Sequence, residues 1–143
     1  MKTFSGEYER TVDSKGRVVL PPAIRKLITD GGYISQGEDG CLALWTQEEF
    51  ESQASKRLEQ EANGSREIRM KNRFWAASAF AIELDNQGRI QLQVRHRTYA
   101  TIELNKEVVV LGVMNRAEIW NAERLYEYRN QLENEENDES NYA

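Results

Sequence analysis

The feature that most constrains the fold of this chain of 143 residues is an internal repeat. Tyr8–Leu20 and Phe80–Leu92 share an alternating segment, the pattern Asp-x-x-Gly-Arg and a short apolar run, 72 positions apart. A second pair of blocks, Tyr33–Trp45 and Val108–Trp120, matches at an offset of 75. Two matched blocks in the same order indicate that the chain contains two copies of one structural unit.

Each copy is predicted to hold four short strands and to end in a helix. Phe80, Ile82 and Leu84 alternate with small or polar residues, as in a half-buried strand, and the pattern Asp-x-x-Gly is typical of a tight turn. Thr46 opens a capping box that begins the first such helix, and residues 66–77 predict a further helix between the copies. Copies of roughly 45 residues are too small to hold a core alone. We therefore expect their strands to interleave in one barrel.

These patterns predict a mainly β fold with flanking helices. Repeat 1 spans residues 6–52, a helical connector spans residues 53–78, and repeat 2 spans residues 79–125. The segment 130–143 is acidic and cannot bury apolar surface, so it is predicted to be a disordered tail. Four aromatic residues are predicted to lie in the core or in a subunit interface: Trp45, Phe74, Trp75 and Trp120.

Charge is unevenly distributed along the chain. The 19 basic and 24 acidic residues give a net charge of −5. Residues 121–143 carry five more acidic than basic side chains, so residues 1–120 are neutral overall. The first 27 residues hold six basic and three acidic side chains. A local basic patch of this kind is the usual electrostatic footprint of a site for a polyanion.

The repeated turn motif has two interpretations. Its residues are Asp13, Gly16 and Arg17 in repeat 1, and Asp85, Gly88 and Arg89 in repeat 2. In the first interpretation the motif is a structural turn with a local ion pair, because it occurs in both repeats. In the second, Arg17 projects from the turn towards a phosphate or a guanine edge, which its forked guanidinium can bond bidentately.

The basic residues around the motif differ between the repeats. Repeat 1 carries Arg10, Lys15, Arg17, Arg25 and Lys26. The matching residues of repeat 2 are Ile82, Gln87, Arg89, Arg97 and Thr98. A structural turn alone does not require five basic residues in repeat 1 and only two in repeat 2. A polyanion-binding face on repeat 1 requires such a surplus. A merely solvated charged face is the alternative.

Several function classes lack the residues that they need. The single cysteine, Cys41, and the single histidine, His96, exclude a Cys/His zinc site, and no cofactor is predicted. An enzyme centred on His96 and Arg97 is the weakest hypothesis, because the sequence offers no partner that would orient a catalytic base. No apolar run reaches the roughly 20 residues of a membrane span. The chain start has no apolar signal core, so a cytoplasmic location is expected.

The stretch Gly6–Pro21, with Arg25 after it, resembles the start of the MraZ family of bacterial transcriptional regulators of the division and cell-wall gene cluster. Glu83–Ile90 and Leu104–Gly112 resemble the second half of that family. The resemblance runs from about residue 4 to about residue 128. The chain departs from the family pattern after the second motif, where Gln93 stands in place of a proline.

The resemblance implies two tandem SpoVT-AbrB-like units of swapped hairpins that form a pseudo-dimeric β-barrel. It also implies a ring-like homo-oligomer that binds double-stranded DNA at short direct repeats upstream of its own operon and represses that operon. In related AbrB-type domains, basic residues before the turn, at its end and in the following helix contact DNA. The residues that match this pattern are Arg10, Arg17, Arg25 and Lys26.

The resulting hypothesis is a sequence-specific DNA-binding repressor without catalysis, associated with the nucleoid. Its DNA-binding residues are predicted to be Arg10, Lys15, Arg17, Arg25 and Lys26. The alternative is a protein-interaction or assembly module, such as an antitoxin-like partner, in which the same basic face meets an acidic protein. No membrane partner is predicted.

Overall fold

The computed structural model describes residues 2–142, with side chains for residues 2–138. The strands in this range are β1 Glu7–Thr11, β2 Arg17–Val19, β3 Gly32–Gln36, β4 Leu42–Thr46, β5 Phe80–Ala81, β6 Arg89–Gln91, β7 Glu107–Val113 and β8 Arg116–Asn121. The helices are α1 Pro22–Arg25, α2 Gln47–Glu61, α3 Arg66–Ser78, α4 Val94–Ala100 and α5 Ala122–Tyr142. A 3-10 turn, Glu38–Gly40, joins β3 to β4.

The strands of the two repeats interleave, as the repeat pattern predicts. One antiparallel sheet has the order β1-β7-β8-β4-β3-β5, and β2 pairs with β6 in a separate two-stranded ribbon. Val18 lies opposite Ile90 in the ribbon, and Ala43 lies opposite Glu118 in the sheet. These pairs are 72 and 75 positions apart, so equivalent residues of the two repeats face each other. The repeats are therefore related by a pseudo-twofold axis through these two pairs.

The described strands do not form the expected closed barrel. β1 and β5 are the outer strands of the six-stranded sheet, and the β2·β6 ribbon is not a continuation of that sheet. β5 has two residues where its equivalent β1 has five. β5 is paired with β3 at only two positions, so one side of the sheet ends before it could close. The architecture is an antiparallel sheet with a ribbon and several helices.

One hydrophobic core serves both repeats. Its members include Val12, Val18, Leu20 and Ile24 of repeat 1 and Ile90, Leu92, Ala100 and Ile102 of repeat 2. Neither repeat can bury this apolar surface alone, and its burial is the main force that holds the interleaved chain together.

Three of the four aromatic residues that are predicted to lie in the core or in a subunit interface lie in the core. Trp45, Trp75 and Trp120 are buried. Phe74 is 59% exposed, because α3 turns the neighbouring Trp75 towards α2, where its ring stacks on Phe50 with centroids 4.9 Å apart. Phe74 therefore does not belong to the core of the single chain.

The helix after the second motif forms without the proline that the family pattern has. α4 begins at Val94 and runs for seven residues, against four in α1. The Gln93 carbonyl oxygen accepts from the Arg97 amide at 3.0 Å. Gln93 has the extended backbone that suits a residue just before a helix.

Two helices of the connector region begin at side-chain caps. Thr46 Oγ1 accepts from the Glu49 amide at 3.1 Å, as half of a capping box requires. The Glu49 carboxylate instead accepts from Asn115 Nδ2 at 2.9 Å. Ser65 Oγ accepts from the Ile68 amide at the start of α3. The predicted boundary at residues 52–53 falls inside α2.

We expect Ser65→Ala to lower the free energy of unfolding by about 1 kcal/mol, because an orphan amide of the first turn of α3 loses its acceptor. Ser65 is exposed, so little packing is lost with the hydroxyl. The measurement is urea unfolding followed by circular dichroism. Ser55→Ala, in the exposed interior of α2, is the matched control and should not destabilise. Equal effects of the two substitutions would contradict the capping role.

The acidic segment differs from its prediction. Residues 130–143 are predicted to be disordered, whereas α5 continues to Tyr142; Ala143 lies outside the described residues. Every described side chain from Glu127 to Asp138 is exposed. The segment contains neither glycine nor proline, so nothing in it breaks a helix whose first turns pack on the sheet. None of the described helices is long and apolar enough to cross a membrane.

Candidate nucleic-acid interface

The β2·β6 ribbon presents one polar face to solvent. Arg17 lies opposite Gln91, and Val19 lies opposite Arg89. Alternate residues of a strand point to opposite faces, and the intervening Val18 and Ile90 are buried in the core. The outer face of the ribbon therefore carries two arginines, a valine and a glutamine.

The first turn holds Arg17 in a defined orientation. Asp13 Oδ1 accepts from the amides of Lys15 and Arg17 at 2.9 and 2.8 Å. Asp13 Oδ2 accepts from Arg17 Nε at 2.8 Å. Because the aspartate takes only the Nε–H, the two terminal amino groups of the guanidinium stay available. Within residues 2–138, neither of these amino groups donates a hydrogen bond to the protein.

The second turn repeats this geometry. Asp85 Oδ1 accepts from the Gln87 and Arg89 amides, both at 2.9 Å. Asp85 Oδ2 accepts from Arg89 Nε at 2.7 Å. Both repeats therefore form the same turn with a local ion pair, and in each the arginine uses its Nε–H for the aspartate.

Backbone hydrogen bonds keep both carboxylates ionised. The Arg17 amide, followed by the Arg17 side chain and the Lys15 amide, lowers the pKa of Asp13 to about 2. The Arg89 amide is likewise the largest cause that lowers the pKa of Asp85. Both ion pairs are therefore fully formed at neutral pH.

The lowered pKa of Asp13 makes the stability of the turn depend on pH. Above the ordinary aspartate pKa of 3.8 the carboxylate is ionised in both the folded and unfolded states, and its stabilisation is fully present. That stabilisation is lost as the pH falls from about 4 to about 2. We expect the difference in free energy of unfolding between the wild type and Asp13→Asn to be largest above pH 5 and to shrink towards pH 2. Urea unfolding across this range measures it, and a difference independent of pH would contradict the assignment.

Each turn is covered by an arginine from the other repeat. Gly88 has a φ of +73°, and a Cβ there would collide with the Arg25 guanidinium. Gly16 has a φ of +80°, and a Cβ there would lie 3.2 Å from Arg97 Nε. Backbone hydrogen bonds between the repeats also hold the turns in place. The Leu20 amide, for example, donates to the Gly88 carbonyl at 3.0 Å. The basic groups thus cluster across the repeats.

The remaining predicted residues surround this ribbon. Arg10 Nε donates to the Val19 carbonyl at 3.2 Å, so Arg10 borders one edge of the ribbon. Lys15 is exposed in the first turn, and its carbonyl accepts from Gln91 Nε2 at 2.7 Å. Lys26 is exposed at the end of α1, beside Arg25.

The structure therefore divides the five basic residues of repeat 1. Lys15 and Arg17 belong to the first turn together with Arg97, whereas Arg25 lies at the second turn with Arg89. Counting charges repeat by repeat missed Arg97 and Gln91 as members of this face. The repeat contains the information that would have predicted them. Val18 and Ile90 are equivalent, so pairing of equivalent strands places the two motifs side by side.

His96 and Cys41 are structural residues. His96 is buried, and its Nε2 lies 2.7 Å from the Ser78 carbonyl oxygen. Burial, with a smaller effect of Arg95, lowers the pKa of His96, so the ring is neutral and donates Nε2–H to Ser78. Cys41 is buried, and burial is the main cause that raises the pKa of its thiol. These surroundings do not favour an imidazole base or a thiolate nucleophile.

Fold and site together define a class of protein with two interleaved β repeats that present a cross-repeat basic ribbon. A family model described as "MraZ protein, putative antitoxin-like" matches residues 3–73 and 76–142. The chain belongs to the MraZ family, as its motifs predict.

Relatives named "Transcriptional regulator MraZ" are similar over nearly the whole chain. The Ligilactobacillus salivarius and Natranaerobius thermophilus proteins are each 37% identical over 130 residues, which cover 91% of this chain and 89% of the relative. The Alkaliphilus metalliredigens protein is 36% identical over 140 residues, covering 98% of this chain and 90% of the relative.

Proposed function

We propose that this protein is a sequence-specific DNA-binding transcriptional regulator that represses its own division and cell-wall operon. It binds short direct repeats upstream of that operon as a ring-like homo-oligomer at the nucleoid. Its two repeats act as swapped-hairpin units of one pseudo-dimer. The transcriptional-regulator names of relatives 36–37% identical to it support this class.

One observation carries the proposal. Each Asp-x-x-Gly-Arg turn uses Nε of its arginine internally and leaves the outer fork available. A fork held in this way loses little conformational freedom when it meets a phosphate or a guanine edge. Two such forks on one narrow ribbon match the size of a major groove, which admits a two-stranded β-ribbon.

The basic residues have different roles in the proposal. Arg17 and Arg25 contact bases or the nearest phosphates, and Arg10 contacts the backbone at the ribbon edge. Lys15 and Lys26 neutralise phosphate charge, which positions the protein without reading sequence. Arg89 and Arg97 from repeat 2 join the same face, because each lies at a turn or against one.

A single ribbon offers a small contact area and binds weakly by itself. Adjacent subunits of an oligomer that engage successive DNA repeats convert later contacts into intramolecular ones. Affinity then depends on the spacing of the repeats as well as on their sequence.

The experiment that tests the proposal is fluorescence anisotropy with a labelled duplex from the region upstream of this gene, across a salt series. A scrambled duplex of equal length is the control. We expect binding that prefers the native duplex and falls steeply with salt, because phosphate contacts release counterions.

Two other outcomes would contradict the proposal. Equal binding to both duplexes would indicate a non-specific basic face. No binding at low salt by an assembled oligomer would favour the antitoxin-like alternative, in which the ribbon meets an acidic protein.

A further inference from the structure

The helical hairpin after β4 packs tightly in repeat 1. The Trp75 ring of α3 lies between Phe50 of α2, at 4.9 Å between centroids, and the guanidinium carbon of Arg57, at 4.3 Å from the ring centroid. Asn72 Nδ2 donates to the Arg57 carbonyl at 3.1 Å. The face of α2 that carries Phe50 and Arg57 is thus covered by α3.

The equivalent face of α5 has no such cover among the described residues. At an offset of 75, Leu125 matches Phe50 and Leu132 matches Arg57. These leucines border an open groove of about 510 Å³ that also includes Trp120 and Tyr128. Leu132 is 58% exposed and Tyr128 is 41% exposed. The pseudo-symmetry therefore leaves an apolar stripe on α5 without the helix that covers its counterpart.

α5 presents this stripe in a fixed orientation. Arg129 Nη2 binds Glu7 Oε1 at 2.5 Å, and Tyr126 Oη donates to Glu9 at 3.1 Å. Both contacts hold α5 against β1. The stripe is flanked by two exposed glutamates, Glu135, which lines the same groove, and its neighbour Glu136.

A complementary groove lies between α2 and α3. It has a volume of about 360 Å³, and its apolar lining includes Ala54, Leu58 and Ala76. Leu58 is 70% exposed. Three arginines, Arg57, Arg69 and Arg73, line the same groove together with one acidic residue, Glu61. An apolar floor with arginines beside it fits an apolar helix stripe with carboxylates beside it.

We propose that α5 of one copy of this chain docks in the α2–α3 groove of the next copy. Leu132 and Tyr128 enter near Leu58, and the flanking glutamates meet Arg69 and Arg73. The inference rests on the assembly named in the proposed function and assigns the surfaces that join its subunits. The contact is heterologous, since the two surfaces differ, and successive copies therefore form a ring or an open filament.

Charge disfavours the main competing arrangement. Pairing α5 with a second α5 would bring two acidic helices together, and like charges at close range repel. The exposed side chains of α3 include four basic residues, Arg66, Arg69, Lys71 and Arg73. Attraction between unlike helices favours the heterologous contact.

The first part of the test breaks each surface separately. We expect Leu58→Asp and Leu132→Asp each to reduce the mass measured by light scattering from that of the assembly to the 16.6 kDa of one chain. Both side chains are exposed in the single chain, so the far-ultraviolet circular dichroism should not change. Gln60→Asp on α2 and Asn134→Asp on α5 introduce the same charge outside the grooves and should leave the mass unchanged.

The second part mixes the two broken proteins. The Leu58→Asp protein keeps its α5 stripe, and the Leu132→Asp protein keeps its groove, so the mixture should form a heterodimer of twice the monomer mass. An assembly joined through α5–α5 contacts would give no such complementation. The proposal is overturned if either variant keeps the wild-type mass, if the mixture stays monomeric, or if the wild type itself is monomeric.

The readouts separate this inference from the proposed DNA binding. Mass is measured without DNA, and Arg17 is outside both grooves. If the Arg17→Ala protein binds the native duplex as tightly as the wild type while the mixing result holds, the assembly surfaces stand and the assignment of the DNA-binding face fails. If Leu132→Asp keeps the wild-type mass while salt-sensitive specific binding is observed, the DNA proposal stands and the assembly surfaces fail.

Discussion

Arg17→Ala should weaken binding to the native upstream duplex by roughly 10- to 100-fold, the range set by loss of one bidentate arginine contact. The turn should survive, because the Asp13 carboxylate still accepts from the amides of residues 15 and 17. The ion pair that is lost is partly exposed, and such pairs contribute at most about 1 kcal/mol. The loss therefore falls on DNA affinity, while oligomer mass and the free energy of unfolding change little. Anisotropy at constant salt measures the affinity.

Two further variants decide what Arg17 contributes. Arg17→Lys keeps the charge but loses the planar fork. If Arg17 contacts a base, this variant should bind the native duplex weakly and show an unchanged salt slope. Arg17→Ala should reduce the salt slope by about one if the residue contacts a phosphate. Lys56→Ala removes one positive charge from exposed α2 and is the control for net charge. Wild-type affinity of Arg17→Ala would contradict the assignment of this face.

The repeat explains why so much of the topology could be predicted from the sequence. A unit that cannot bury its own core must share one, and matched offsets of 72 and 75 identify which strands are equivalent. The structure confirms that the strands interleave, with Val18 against Ile90. The motif residues Asp13 and Asp85 form the expected turns with almost identical hydrogen bonds.

The composition of the basic face could not be predicted in the same way. Charges counted along the chain are assigned to repeats, but Arg25 lies on the turn of Gly88 and Arg97 lies on the turn of Gly16. Such crossing depends on how α1 and α4 leave the ribbon, which no local pattern encodes. Repeat 1 has more basic residues than repeat 2, but in the structure these residues lie at both turns.

Closure of the sheet into a barrel and the conformation of the acidic segment both depend on contacts between elements that are distant in the sequence. Whether a sheet closes is decided by a few edge hydrogen bonds, and β5 makes them at Ala81 and Phe80 only. The side chains of residues 130–138 are all exposed in the single chain, and composition alone predicts no packing for them. In the proposed assembly, the α2–α3 groove of a second copy is the packing partner of Leu132.

Ile90→Ala should lower the free energy of unfolding by about 2–5 kcal/mol, the usual cost of removing a large buried aliphatic side chain. Ile90 is 2% exposed and faces Val18 across the pseudo-twofold axis. Because the two repeats share this core, the loss must destabilise both at once. Urea unfolding followed by circular dichroism and by tryptophan fluorescence should give coincident transitions, shifted to lower urea with an unchanged slope.

Hydrogen exchange identifies where the stability is lost. In the Ile90→Ala protein, amides of β3 and β4 in repeat 1 should lose as much protection as those of β7 and β8 in repeat 2, since interleaved strands open together. Val94→Ala, at a 68% exposed position of α4, is the control and should change stability by less than about 0.5 kcal/mol. Loss of protection confined to repeat 2 would contradict a shared core, because it would mean that repeat 1 holds its strands without Ile90.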